Sequence, residues 1–250
     1  MRESGIMHGA YRIRIRPTNV QLMSDHQELL PDPLPAEPLA VAARWLADAW
    51  AARAQPNPNA MVLATATPDG HPAARVVLCK DIVPQPGYVV FYTNYRSSKG
   101  RQLESNPRVA AVMHWDALHR QVRIEGTVVK GPAAEADAYF ASRSWDKRLG
   151  AWASAQSEPI ASRAALERAL ADTAQRFGAP LPATAGAAAN PAIEVPRPPH
   201  WGGYHLWADA VELWVEGAGR IHDRARWSRT LTPGAGGFEA GAWQATRLQP

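Results

Sequence analysis

One cysteine, Cys79, stands among the 250 residues, so no disulfide can close within the chain, and a reducing compartment suits it. No stretch reaches the roughly 18 uninterrupted apolar residues of a membrane helix. Residues 1–16 hold basic side chains but no apolar core of a secretory leader. The expected location is cytoplasmic, away from membranes. There is no GxGxxG, no GxxxxGK[ST] loop and no metal-ligand spacing of Cys and His; any nucleotide cofactor must be held by other means, and no metal is expected. The net charge is only +4, and no run of five basic residues occurs, which argues against nucleic acid as a partner. A small phosphorylated molecule needs only a few well-placed cations.

What is present suits one sizeable core: 46% of residues are hydrophobic and 20% charged, an ordinary globular balance. Residues 1–35 carry several prolines and no clear period, and read as an N-terminal arm; residues 36–250 read as a single domain. Glu37-Pro38 looks like a helix start, and Leu39, Ala43, Leu46 and Trp50 follow at helical spacing as one apolar face. From Ala60 the texture turns to strands. Ala60–Thr67 and Pro72–Lys80 flank the turn signal Pro68-Asp69-Gly70, and Tyr88–Thr93 follows. Ser97–Ser105 reads as a short helix stopped by Asn106-Pro107, and Arg108–Trp115 and Gln121–Lys130 as strands. Residues 132–144, 146–155 and 159–177 favour helix, and 180–199, rich in Ala and Pro, read as a flexible loop. Strand character returns at Gly203–Val215, Arg220–Trp227 and Gly241–Leu248. Strands spaced this closely exclude a repeating βαβ pattern and predict an antiparallel barrel with flanking helices.

Four clusters are candidates for chemistry. Arg75 and Lys80 bracket Val76, Val77, Leu78 and Cys79 in a strand, and being five apart they point to opposite faces. They either contact phosphates or sit at strand ends and reach water. Tyr92-Thr93-Asn94 runs into Arg96-Ser97-Ser98-Lys99, where hydroxyls, a cation and a helix N-terminus would favour an anion; a plain serine-capped helix explains it too. If 220–227 is a strand, Arg220, His222 and Arg224 share one face and call for an anion, unless Asp223 serves as a local counter-ion. On a helix, Tyr139 and Arg143 share a face that would suit a phosphate, or pack as a tyrosine beside a snorkelling arginine. Cys79 reads as a small buried apolar residue.

Taken in order, these segments resemble the pyridoxamine/pyridoxine 5′-phosphate oxidase family. The resemblance runs from about Asp32 to Pro250 and includes Phe91-Tyr92-Thr93-Asn94, Ser105-Asn106-Pro107-Arg108-Val109, Arg120-Gln121-Val122, Gly150-Ala151-Trp152-Ala153-Ser154, Gln156-Ser157, Trp201-Gly202-Gly203 and Arg220–Arg224. It implies a mainly β fold with flanking helices: an antiparallel Greek-key split β-barrel, homodimeric, with FMN at the subunit interface. FMN contacts would fall on Arg75, Val76, Val77, Leu78, Cys79, Lys80, Tyr92, Thr93, Ser98, Lys99, Gln121, Gln156, Ser157, Trp214 and Arg224. Substrate contacts would fall on Lys80, Tyr139, Arg143, Lys147, Arg220 and His222, with Arg220 and His222 in the catalytic role. The implied reaction oxidises pyridoxamine or pyridoxine 5′-phosphate to pyridoxal 5′-phosphate and reduces dioxygen to hydrogen peroxide. The chain departs from the family where Ser98-Lys99 replaces the common Arg-Lys, where Lys147 replaces a serine, and in a longer loop around Pro182–Val195. Those departures keep two rivals in view: a related flavin oxidase of phenazine type, and a non-catalytic protein holding FMN or pyridoxal phosphate.

Overall fold

The computed structural model describes residues 28–181 and 193–250. Helix α1 (Pro38–Ala51) begins where expected, with the Glu37 carboxylate accepting the Leu39 N–H at 3.1 Å and Pro38 in the first turn. Its buried face is Leu39, Ala42, Trp45 and Ala49, whereas Trp50 is 52% exposed. Two tryptophans five residues apart cannot both face the core of one helix; Trp45 fills the space, and the true face is turned by about one residue from the expected one.

Six strands close into an antiparallel barrel: β1 (Ala60–Ala66), β2 (Pro72–Val83), β3 (Tyr88–Asn94), β4 (Arg108–Trp115), β5 (Arg120–Lys130) and β6 (Trp201–Val215). Around the barrel they run β1-β2-β3-β6-β5-β4 and back to β1. Two three-strand meanders are thus joined by the crossover through α2 (Ser98–Ser105). The long strand β6 pairs along most of its length with β5. On its other side it pairs first with β3, then with β7 (Asp223–Ser228), which continues to β10 (Gln244–Leu248). The barrel is filled by Met61, Leu63, Phe91, Met113, Trp115, Ile124, Leu206 and Leu213, and α1 adds Leu39 and Trp45 to the same core. A large apolar interior enclosed by paired strands leaves few ladder groups unsatisfied.

The β5–β6 ladder shifts register between Glu125 and Gly126, where the two backbones approach closely. A Cβ at Gly126 would lie 1.9 Å from the Trp207 carbonyl oxygen, a backbone atom that cannot swing away. Gly126→Ala is therefore expected to cost at least about 2 kcal/mol, read from the urea midpoint. An unchanged midpoint would mean the bulge is not rigid.

Helices α3 (Ala133–Ser142), α4 (Trp145–Ala153) and α5 (Arg163–Arg176) fill the predicted helical stretch. The last begins later than expected because Ser162 caps it, accepting the Ala165 N–H at 3.1 Å. Trp145, Leu149, Ala174 and Val195 form a second small core beneath α4 and α5. Residues 1–27 of the expected arm and 182–192 of the expected loop lie outside the described residues. The stretch 28–35 is bound to the barrel: Leu30 is buried and its N–H donates to Asp223, while Trp227 Nε1 donates to the Pro35 carbonyl. Among the described residues, no helix is long and apolar enough to cross a membrane.

Two expectations need correction. The strand expected from Arg220 starts only at Asp223; Ala218–Arg220 form a 3₁₀ turn, with Arg220 at φ +66°. The turn closes because the His222 ring folds back, its Nδ1 accepting the Gly217 N–H at 3.1 Å. Arg220, His222 and Arg224 therefore do not share a strand face. A hairpin, β8 (Leu231–Gly234) and β9 (Gly237–Ala240), precedes β10, which starts at Gln244 instead of Gly241. Strands of four residues carrying Pro233 and two glycines give no readable alternation; Phe238, packed against Trp207 at 5.9 Å, holds the hairpin down.

Candidate functional site

A cavity of about 830 Å³ opens where β2, β3, α3 and α4 meet. On β2 the exposed positions Val76, Leu78 and Lys80 alternate with the more buried Arg75, Val77 and Cys79, as expected for a strand with a core side. Lys80 projects toward the Tyr139 ring, 5.4 Å from its centroid. Tyr139 in turn stacks on Tyr92 at 4.1 Å, and both lie nearly parallel to Trp201, so three aromatic rings form one wall. Arg143, the C-cap of α3, lies over the Trp201 ring at 4.9 Å. Its Nη1 is buried with no hydrogen-bond partner, and burial holds its pKa below the usual value.

At the opposite wall, β3 runs into α2. Ser97 caps the helix, accepting the Gly100 N–H at 3.2 Å. Lys99 Nζ donates to Thr93 Oγ1 at 3.0 Å, Ser97 Oγ at 3.2 Å and Gln156 Oε1 at 2.9 Å. All three partners are neutral. Burial, helped by the charge of Arg75, pushes the Lys99 ammonium down to about 8. Arg75 stands behind it, clamped by Thr65 Oγ1 at 2.5 Å and Gln102 Oε1 at 3.1 Å. Lys80, Lys99, Arg143 and Lys147 all line the cavity, and among the described residues none of its walls is acidic. Four cations without a carboxylate form a basin of positive potential for an anion.

Of the residues expected to hold a cofactor, Val76, Val77, Leu78, Lys80, Tyr92, Thr93, Lys99 and Gln156 line this cavity, as do the expected substrate contacts Lys80, Tyr139, Arg143 and Lys147. Arg75, Cys79, Ser98 and Ser157 are not in its walls. Cys79 is inside the barrel, its thiol pushed up to about 12 by burial, and is inert there. Gln121, Trp214, Arg220, His222 and Arg224 are not in the cavity either. Three of them lie side by side across neighbouring strands, Gln121 opposite Trp214 and Trp214 opposite Arg224. Arg224 is held by the buried Glu212, with Nη2 at 2.8 Å, and His222 rests against the Trp214 ring at 4.7 Å. Within the single chain the predicted residues therefore do not all meet: one group lines the cavity and another lies across β5, β6 and β7. Asn94, from the expected Tyr92-Thr93-Asn94 cluster, is also a wall residue, whereas Trp201, Ser142 and Ser144 are wall residues not expected as contacts. Trp201 lies more than 60 residues from Tyr139 and more than 100 from Tyr92, distances over which no local pattern operates.

Comparison with known proteins agrees with this architecture. A family profile described as pyridoxamine 5′-phosphate oxidase matches residues 47–177, and one described as the pyridoxine 5′-phosphate oxidase C-terminal dimerisation region matches 201–250. A pyridoxine/pyridoxamine 5′-phosphate oxidase of Rubrobacter xylanophilus is 46% identical over 215 residues, covering 86% of this chain and 87% of that protein. One of Gluconobacter oxydans is 44% identical over 218 residues, covering 87% and 96%. Among solved structures, PhzG from Burkholderia lata, in complex with tetrahydrophenazine-1-carboxylic acid, superposes with a TM-score of 0.73 at 29% identity, covering 93% of this chain and 100% of that one. With both profiles matching in order and identity sustained along the barrel, the chain belongs to the pyridoxamine 5′-phosphate oxidase family.

Proposed function

We propose that the chain is an FMN-dependent oxidase that converts pyridoxamine or pyridoxine 5′-phosphate to pyridoxal 5′-phosphate. The observation that carries this reading is the acid-free cavity, with the unpartnered Nη1 of Arg143 on one wall and Lys99 among neutral partners on the other. Two separate sets of anion-seeking groups suit two phosphorylated molecules, a cofactor and a substrate. Lys99 and Thr93, with Arg75 and Ser98 behind them, would hold the FMN phosphate. Val76, Val77, Leu78 and Gln156 would border the rest of the cofactor. FMN, when bound, supplies the two-electron chemistry, accepting a hydride from the substrate and passing the electrons to dioxygen. Lys80, Tyr139, Arg143 and Lys147 would clamp the substrate phosphate.

The second cluster acts from a second copy of the chain. The match of 201–250 to a dimerisation region covers Trp214, Arg220, His222 and Arg224, and the apolar Val62, Val76 and Leu78 beside the cavity are exposed in the single chain. In the homodimer, Gln121, Trp214 and Arg224 of one protomer would border the cofactor of the other. Arg220 and His222 would orient the substrate ring. With Nδ1 accepting from Gly217, the neutral ring carries its proton on Nε2, which would donate a hydrogen bond to the substrate.

The purified protein is expected to be yellow, and pyridoxamine 5′-phosphate added without oxygen should bleach the flavin band. A colourless protein, or a band unmoved by either B6 phosphate, would overturn the reading. Bleaching by a dihydrophenazine carboxylate alone would transfer the chain to the substrate class suggested by the Burkholderia relative.

A further inference from the structure

We propose that two side-chain contacts on α3, His205–Glu135 and Arg197–Asp137, act as positioning pins that set the rotation of the helix and so the reach of Tyr139 and Arg143 into the cavity. The inference rests on the reading of that cavity as the substrate-phosphate site.

His205 is the one buried histidine among the described residues, 5% exposed, and nothing in the proposed chemistry uses it. Its ring lies flat on Tyr88 at 4.3 Å, and its Nε2–H donates to Glu135 Oε2 at 2.9 Å. Gly131 makes room for this contact: a Cβ there would meet His205 Nε2 at 2.9 Å. A buried imidazole fixed by a strand, a ring stack and a carboxylate is a rigid post on β6. On the other flank, Arg197 Nε donates to Asp137 Oδ1 at 2.6 Å, and its Nη1 donates to the Trp201 carbonyl at 2.7 Å.

Glu135 and Asp137 are two residues apart, about 200° around the helix, so the pins grip opposite flanks. Any roll of α3 would stretch one while slackening the other. Glu135, Tyr139 and Arg143 follow at four-residue spacing, so the first pin lies at the root of the stripe that faces the ligand. The second pin fixes Trp201, whose ring carries the Arg143 guanidinium. Without the pins, α3 stays attached through the buried Phe140 but loses its angular reference. Misplacement of a binding group by a fraction of an ångström weakens the bound state without unfolding the protein.

The test is the double variant Glu135→Ala/Asp137→Ala, both positions being half-exposed and alanine a good helix former. The KM for pyridoxamine 5′-phosphate should rise about tenfold, with kcat within about twofold, FMN affinity unchanged and the melting temperature only a few degrees lower, since the buried His205 loses its acceptor. Glu135→Gln, which keeps an acceptor for His205, should restore most of what Glu135→Ala loses. An unchanged KM overturns the proposal. So does a KM that rises only together with FMN loss and much lower melting, since that pattern is general loosening. If the wild-type protein oxidises no B6 phosphate, the functional reading fails on its own. Titration with inorganic phosphate then still decides the pins: about tenfold weaker binding in the double variant supports them, and equal binding overturns them.

Discussion

Replacing Arg143 by alanine should lower kcat/KM for a phosphorylated substrate about a hundredfold or more and leave the fold almost as stable as before. The expectation follows from what the guanidinium touches. Arg143 lies on Trp201 and Phe140, is half-buried, and offers a buried Nη1 that nothing among the described residues accepts. A charge-assisted hydrogen bond to a phosphate is worth about 1.5–3 kcal/mol, and about 1.4 kcal/mol corresponds to a factor of ten in rate. Losing one or two such bonds accounts for the fall. In the unliganded protein the same group is costly, because an unpaired buried N–H is penalised by about 1–3 kcal/mol. Its cation–π contacts return about 1–2 kcal/mol. The two nearly cancel, so the urea midpoint should shift by less than about 1 kcal/mol in either direction. A midpoint lowered by several kcal/mol, with a small change in kcat/KM, would make Arg143 a structural residue and remove the main support for the phosphate site.

That separation of roles also explains what could be read in advance. The strands with alternating side chains and bounded turns were legible: β4 runs over Arg108–Trp115 as expected, and β1 and β2 flank the Pro68-Asp69-Gly70 turn. The grouping of Lys99 with Thr93, and of Arg143 with Tyr139, was legible too, because groups near a helix start, or set four apart on a helix, meet over short distances. The turn at Arg220 was not. It depends on the His222 ring reaching back five residues to Gly217, a side-chain contact to the backbone that displaces the strand pattern. Nor could the division into two clusters be read, because Gln121, Trp214 and Arg224 meet only through the register of three strands separated in sequence. Likewise His205 reads as one polar residue in an apolar strand; its role depends on Glu135, 70 residues away. A one-dimensional pattern carries period and turn chemistry, and long-range register lies outside it.

The second large effect concerns pH and Lys99. Burial and Arg75 hold its ammonium at about 8, below the ordinary lysine value of 10.5. Below pH 8 the free site is charged; between about 8 and 10.5 it is neutral, while the lysine of the unfolded chain keeps its proton. A phosphate dianion bound there stabilises the ammonium and raises its pKa again, so binding above pH 8 must take up a proton. FMN affinity should therefore be greatest between about pH 7, a unit above the phosphate's second ionisation near 6, and pH 8, then fall by about tenfold per pH unit above that. The stability of the unliganded protein should move the other way. A base whose folded pKa is depressed is penalised by folding while it is charged; that penalty is fully present below about 8 and fades as pH rises toward 10.5. One residue thus predicts two opposite slopes in the same alkaline window. Lys99→Met should abolish both, weakening FMN binding about a hundredfold at pH 7 and flattening its dependence above pH 8. Titrating apoprotein with FMN at a series of pH values, beside urea melts of the same samples, reads both slopes. Affinity that stays level to pH 10 in the wild type would exclude Lys99 from the cofactor's phosphate.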